Sequence, residues 1–190
     1  MKAIEKLANA GGQKNMNNDL KIGLHGEGKV VKILEKHLDL KFLSYNESST
    51  IKGLKEYDLS FIDRQGNEVR IEVKTDVYGK RSNNIVFEKV SRKKPSGIST
   101  TKADYWVNFF YHKDEIWLFA VSELKEIIKM EIEKNYEGDD DAYMDYCYGG
   151  DNDTSFMYRA PVGPLFDDYS GNRLTVLDID SNVLNEIHIY

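Results

Sequence analysis

The chain has 190 residues, 41% hydrophobic and 12% aromatic, enough for one core and too short to require two. Its single cysteine, Cys147, excludes an intramolecular disulfide. No window offers the roughly 18 apolar residues of a membrane-spanning helix or the pattern of a secretory leader, so the expected location is the cytoplasm. The net charge of −6 is unevenly divided: residues 1–102 carry 20 of the 26 Lys+Arg and 13 of the 32 Asp+Glu, leaving 6 and 19 for residues 103–190. An anionic ligand should therefore meet the N-terminal half.

Residues 1–20, with Gly11, Gly12, Asn15, Asn17 and Asn18, have weak periodicity and read as an arm with a short helix at 2–9. Over 27–40 the apolar Val30, Val31, Ile33, Leu34 and Leu38 recur at helical spacing, which predicts an amphipathic helix with Gly26 and Gly28 at its start. Alternation over 57–62 and 69–74, around the turn formers Arg64, Gln65, Gly66 and Asn67, predicts a β-hairpin. A third strand at 85–90 extends this into an antiparallel meander. A short helix is expected at 100–104, strands at 105–111 and 116–121, and a helix from Ser122, as N-cap, to about Asn135. The acidic segment 137–153 reads as a loop, 158–165 and 174–179 as edge strands, and 182–190 is too short to assign. The domain plan is an arm at 1–20, an α/β core at 21–135 and a C-terminal extension at 136–190 packed on the same domain. Its centre is a mixed sheet flanked by helices.

The chemistry concentrates in the hairpin. Side chains at i and i+2 of a strand share a face, so Glu72 and Lys74 project together while Ile71 and Val73 point into the core. Either even register compatible with the turn brings Asp58 onto that face, and a one-residue slip would remove it. Two carboxylates held close repel each other, and a divalent cation relieves the repulsion. Oxygen-only ligands favour Mg²⁺, with Mn²⁺ as a substitute, over zinc. Such an ion polarises a phosphate and acidifies a bound water, while Lys74 would orient that water or stabilise charge on the phosphorane. An isolated E-x-K pair is what an ordinary solvated strand face also carries; Asp58, the hairpin and the preceding helix give it context.

With Tyr57-Asp58 and Ile71-Glu72-Val73-Lys74, the chain resembles the PD-(D/E)xK nuclease superfamily, which includes type II restriction enzymes and the archaeal and phage Holliday-junction resolvases. Glu27, in Gly26-Glu27-Gly28, stands where many members carry a helix glutamate that helps to bind metal. Ile85 to Glu88 and the stretch from Ser96 to Trp106 look like a segment of phage-type members. The resemblance covers about residues 20–125, and Tyr57 replaces the proline of the name. It implies a restriction-endonuclease-like core and a Mg²⁺-dependent deoxyribonuclease, structure-selective for branched DNA or restriction-like. Asp58, Glu72, Lys74 and Glu27 would be catalytic, with Asp58, Glu72 and Glu27 as metal ligands. DNA would be the partner, and a homodimer is expected because junction and duplex cleavage both need two cuts.

Lys89, Arg92, Lys93 and Lys94 form a basic run on a connection, suited to neutralising phosphates without reading bases. Thr101 and Lys102, at a helix start, are further candidates for phosphate contact, against the plainer role of a capped turn. Glu88 is either a fourth carboxylate near the metal or a cross-strand partner of a lysine, and His25 an auxiliary proton-transfer group. The glycine and lysine spacing of Gly23 to Lys29 matches a phosphate-binding loop, but Val30 stands where a Ser or Thr would hold Mg²⁺. His25, His37, His112 and His188 lack zinc spacing, and the acidic segment lacks the pattern of a calcium loop. Tyr105, Trp106, Phe109, Phe110, Tyr111, Trp117 and Phe119 could stack on unpaired bases, but their spacing on strands reads most of them as core. Two other functions compete: a non-catalytic module binding nucleic acid or a protein, and an inhibitor mimicking DNA with its acidic half.

Overall fold

The computed structural model describes residues 16–46, 56–77, 84–113, 115–149, 153–161, 163–164 and 175–177. The short helix expected at 2–9 and the stretch 182–190 lie outside these residues. Two helices and ten strands are described: α1 (Met16–His37), β1 (Lys41–Tyr45), β2 (Leu59–Ile62), β3 (Glu68–Asp76), β4 (Asn84–Ser91), β5 (Lys94–Pro95), β6 (Tyr105–Phe110), β7 (Glu115–Ala120), α2 (Val121–Glu137), β8 (Asp145–Gly149), β9 (Ser155–Pro161) and β10 (Thr175–Leu177). Among the described residues no helix is long and apolar enough to cross a membrane.

Helix α1 begins at Met16, upstream of the expected start, so Gly23, Gly26 and Gly28 lie inside it. Glycine within a helix costs about 1 kcal/mol relative to alanine, and at Gly26 packing explains its presence. A Cβ there would stand 1.7 Å from Thr75 Oγ1 and 2.9 Å from Thr75 Cβ, so only glycine lets the helix lie this close to β3. The buried stripe runs through Ile22, Gly26, Val30 and Leu34, with Glu27 and Val31 on its flank. Asp39, with φ 52, stands just beyond the helix end in the left-handed conformation that stops propagation.

Strands β1, β2, β3, β6, β7 and β10 form a sheet in that order. All its neighbours are antiparallel except β3 and β6, which run parallel. The fold is thus α/β with a mixed sheet. The β2–β3 turn is held by Asp63, whose carboxylate accepts from Gln65 N, Asn67 N and Asn67 Nδ2, and by Gly66 at φ 88. Strand β1 escaped the sequence reading because most of its residues are exposed and no alternation marks it. Arg70 and Asp104 fasten the start of the parallel pair: the Asp104 carboxylate accepts from Arg70 N at 2.8 Å, Nε at 3.2 Å and an Nη at 3.0 Å. That carboxylate holds the Arg70 guanidinium pKa above its ordinary value, against a smaller opposing effect of burial.

The strand expected at 85–90 does not extend the meander. As β4 it leaves the first sheet and forms a second, antiparallel one in the order β5-β4-β9-β8. Two of its strands, β8 and β9, come from the C-terminal part of the chain, and β8 lies inside the expected acidic loop. The short helix expected at 100–104 is instead a three-residue 3-10 turn, Gly97–Ser99, followed by irregular chain. Ser122 does not cap α2; Ala120 precedes the helix and no side chain caps it, while Gly138, φ 75, ends it by donating to Asn135 O and Lys134 O.

Two apolar cores sandwich the first sheet. On one face α1 packs Val30, Val31, Ile33 and Leu34 against Ile71, Val73, Val107 and Phe109. On the other, α2 and the second sheet pack Leu124, Ile127, Ile85, Phe87 and Tyr158 around Trp106 and Phe119. Coverage on both faces is why β6 and β7 read as nearly continuous apolar runs.

Candidate active site

Leu59 stands opposite Ile71 and Phe61 opposite Val69, the even register that the sequence argument required. Asp58 lies one residue before β2. Its N–H donates to Ile71 O at 2.9 Å, and its carboxylate Oδ2 accepts from Val73 N–H at 2.6 Å. The side chain thus takes over pairing to β3 where the backbone of β2 stops doing so. Glu72 Oε1 accepts from Lys74 Nζ at 2.6 Å. Asp58 is 6% exposed and Glu72 7%, whereas the Lys74 side chain is 41% exposed and opens the cluster to solvent.

Trp106 and Asn108, which stand beside Glu72 and Lys74 in the parallel ladder, complete the surroundings. Lys74 Nζ lies 5.3 Å from the Trp106 ring centroid, and Trp106 Nε1 donates to the buried Asn108 Oδ1 at 2.9 Å. Sequence reading did not place Trp106 beside Lys74, because that position depends on the parallel pairing of strands far apart in the chain. Burial on its own would lower the Lys74 pKa. The charges of Glu72 and Asp58, the hydrogen bond to Glu72 and the charge of Glu88 outweigh it, so the pKa is raised. The raised pKa favours the charged ammonium at Lys74.

Glu88 adds negative charge near Lys74 while both its oxygens accept from serines, Ser96 Oγ at 2.6 Å and Ser155 Oγ at 2.8 Å. It ties β4 to β9 and to the turn at Gly97. That glycine, φ 52, is obligatory, since a Cβ would stand 2.4 Å from Glu88 O. Thr101 and Lys102 lie against Glu56: Lys102 N and Thr101 Oγ1 donate to Glu56 O at 2.8 and 3.1 Å, and Lys102 Nζ pairs with the Glu56 carboxylate at 2.5 Å. Thr101 is 6% exposed. These contacts fix the chain two residues before Asp58; no α-helix starts there, and the Lys102 side chain is 63% exposed.

Glu27 is 9% exposed and comes from α1. Its neighbour Gly26 meets β3 at Thr75, on the face opposite that of Glu72 and Lys74. His25 packs edge-on against Tyr111, ring centroids 5.7 Å apart. Among the described residues no group of three or more His, Cys, Asp or Glu forms a metal-holding set. The carboxylates brought together beside Lys74 are the pair Asp58 and Glu72. A pair of oxygen donors suits Mg²⁺, which binds through one or two carboxylates and fills its shell with water and substrate phosphate oxygens.

The basic run is a tight hairpin instead of an irregular connection. Ser91 pairs with Lys94 across a two-residue turn, and both central residues are left-handed, Arg92 at φ 48 and Lys93 at φ 66. Such turns ordinarily use Asn-Gly, and a side chain in this region costs on the order of 1 kcal/mol. Strained and exposed, Arg92 and Lys93 form the tip. Comparison with protein-family models, with curated proteins and with solved structures finds no match to this chain.

Proposed function

We propose that the protein is a metal-dependent DNA endonuclease whose centre is Asp58, Glu72 and Lys74. The observation that carries the reading is the meeting of two nearly buried carboxylates with one partly open, firmly cationic lysine at the place where β2 begins. A structural ion pair needs one carboxylate for one amine, and here the lysine has Glu72 and Asp58 beside it, with Glu88 adding further negative charge. The unbalanced negative charge suits a hard cation.

When bound by Asp58 and Glu72, Mg²⁺ would supply Lewis-acid polarisation of a phosphate and a more acidic water. The chain's own residues do the remainder. The Val73 N–H fixes the Asp58 carboxylate, and the Trp106 face and Glu72 hold the Lys74 amine in place. That amine orients the attacking water and stabilises charge developing on the phosphoryl oxygens. The hairpin tip at Arg92 and Lys93 supplies backbone contacts that carry no sequence information.

The resemblance to PD-(D/E)xK nucleases agrees with this assignment, and the antiparallel β2–β3 pair joined to a parallel β6 supports a restriction-endonuclease-like core. Duplex or junction substrates need two cuts, which two copies of the chain would deliver. The test is incubation of end-labelled branched, duplex and single-stranded DNA with the protein in Mg²⁺ or EDTA. Cleavage in Mg²⁺ that disappears with Asp58→Asn is expected. Cleavage that persists in Asp58→Asn, or no cleavage of any DNA by the wild type, overturns the reading.

A further inference from the structure

We infer that the aromatic face of the second sheet is a stacking platform for unpaired bases of a nucleic-acid strand, an inference that rests on the nucleic-acid reading above and names its substrate class. Tyr146 and Tyr148 alternate on one face of β8, opposite Tyr158 and Phe156 of β9. Tyr146 stacks on Phe156 with centroids 5.1 Å apart and planes 20° from parallel, and Tyr148 leans on Phe156 at 5.4 Å. Tyr158, on the same face, is buried in the core, so the open part of this face is its end at Tyr148. Cross-strand packing of an edge strand accounts for the Tyr146–Phe156 pair. It does not account for Tyr148, which is 69% exposed.

Charge identifies the occupant. Lys89 Nζ lies 5.1 Å from the Tyr158 ring and 5.9 Å from the Phe156 ring. The Phe156 row continues across the sheet to Val90 and Pro95, while Lys94, in the next row, belongs to the opposite face. Beyond it is the strained basic tip, where Arg92 N–H donates to Thr154 O at 2.9 Å. Of the acids around it, Asp145 points to the other face of β8 and pairs with Arg159, Glu88 is held by two serines, and the exposed Asp153 stands next to Thr154 at the tip. The acidic run Asp139 to Asp141 lies before the opposite end of β8. Aromatic rings beside lysine and arginine at one end of a sheet form the combination that holds single strands, with rings taking bases and cations taking phosphates.

Binding is measured by fluorescence anisotropy in EDTA, where no cleavage occurs. The probes are a labelled oligothymidine, an abasic strand of equal length and charge, and a duplex. The wild type should prefer the base-bearing strand. Tyr148→Ala, at an exposed position that tolerates truncation, should weaken it by roughly 5- to 150-fold while leaving the abasic strand unaffected; Phe156→Leu should act in the same direction. Combined Arg92→Ala and Lys93→Ala should weaken both strands alike and flatten the salt dependence.

Equal binding of base-bearing and abasic strands by the wild type overturns the platform, as does an unchanged preference in Tyr148→Ala. Self-association that Tyr148→Ala abolishes, without any strand preference, also overturns it and assigns the face to a second copy. A base preference without Mg²⁺-dependent cleavage would retain the platform and reject the nuclease; Asp58-dependent cleavage without base preference would do the reverse.

Discussion

On the side of β3 that meets α1, Ile71 and Val73 are buried among helix residues and Gly26 brings the two backbones close enough to exclude a methyl group. On the other side, Arg70, Glu72 and Lys74 alternate along the strand, and each is held by a partner of opposite charge or by an aromatic face. The first side is built for closeness, so its sensitivity is to volume. The second is built around charge, and there a change of one functional group matters more than a change of size. The two faces belong to the same nine residues, so each can be altered while the other reports on the integrity of the strand.

The largest expected effect is on the charged side. Lys74→Met, which keeps much of the side-chain volume, should lower Mg²⁺-dependent cleavage by roughly 10²- to 10³-fold, the usual cost of removing one electrostatic stabiliser, with an unaltered circular dichroism spectrum. The same variant tests the pH behaviour. Because the folded pKa of Lys74 is raised above its ordinary value of 10.5, the stability it contributes is fully present below that pH. It is lost as pH rises through the folded value. Urea titrations should therefore give a constant difference between wild type and Lys74→Met from neutral pH to about 10, narrowing only above that, and activity should show no loss from Lys74 deprotonation in the neutral range.

On the helix side, Gly26→Ala should destabilise by about 1–3 kcal/mol through overpacking against Thr75, read as a lower urea midpoint. If melting is unchanged, the close approach of α1 is wrong. Asp104→Ala should cost about 1 kcal/mol, since both partners are more than a third exposed and solvent screens the pair. The smallest effect belongs to Thr75→Ala. The Thr75 hydroxyl is buried without a hydrogen-bond partner among the described residues, so relief of that penalty should offset the loss of one methyl group and change stability by less than about 1 kcal/mol, seen as a nearly unchanged melting temperature.

The charged face was legible in the sequence because it depends on local rules: i, i+2 alternation and a hairpin whose turn, at Asp63 to Asn67, is strong enough to fix the register. The position of Asp58 followed from that register. Trp106 and Asn108 were not legible, because they reach Lys74 through a parallel pairing that joins distant segments. For the same reason β4 was placed in the wrong sheet: its alternation is that of any half-buried strand, and its partner β9 lies far along the chain. The acidic composition of 137–153 concealed β8, whose Tyr146 and Tyr148 alternate with Asp145, Cys147 and Gly149. The start of α1 was misread because three glycines resemble a boundary when the neighbour that requires one of them, Thr75, is unknown.

The measurement that bears most directly on the proposed centre is Mn²⁺ binding followed by electron paramagnetic resonance in the wild type, Asp58→Asn, Glu72→Gln and the double variant, each with a single-stranded oligonucleotide present. A shared site predicts one saturable class of bound Mn²⁺ in the wild type, lost in either single variant with no further loss in the double. Binding retained in both single variants, or no saturable Mn²⁺ in the wild type, would contradict a divalent-cation centre at Asp58 and Glu72.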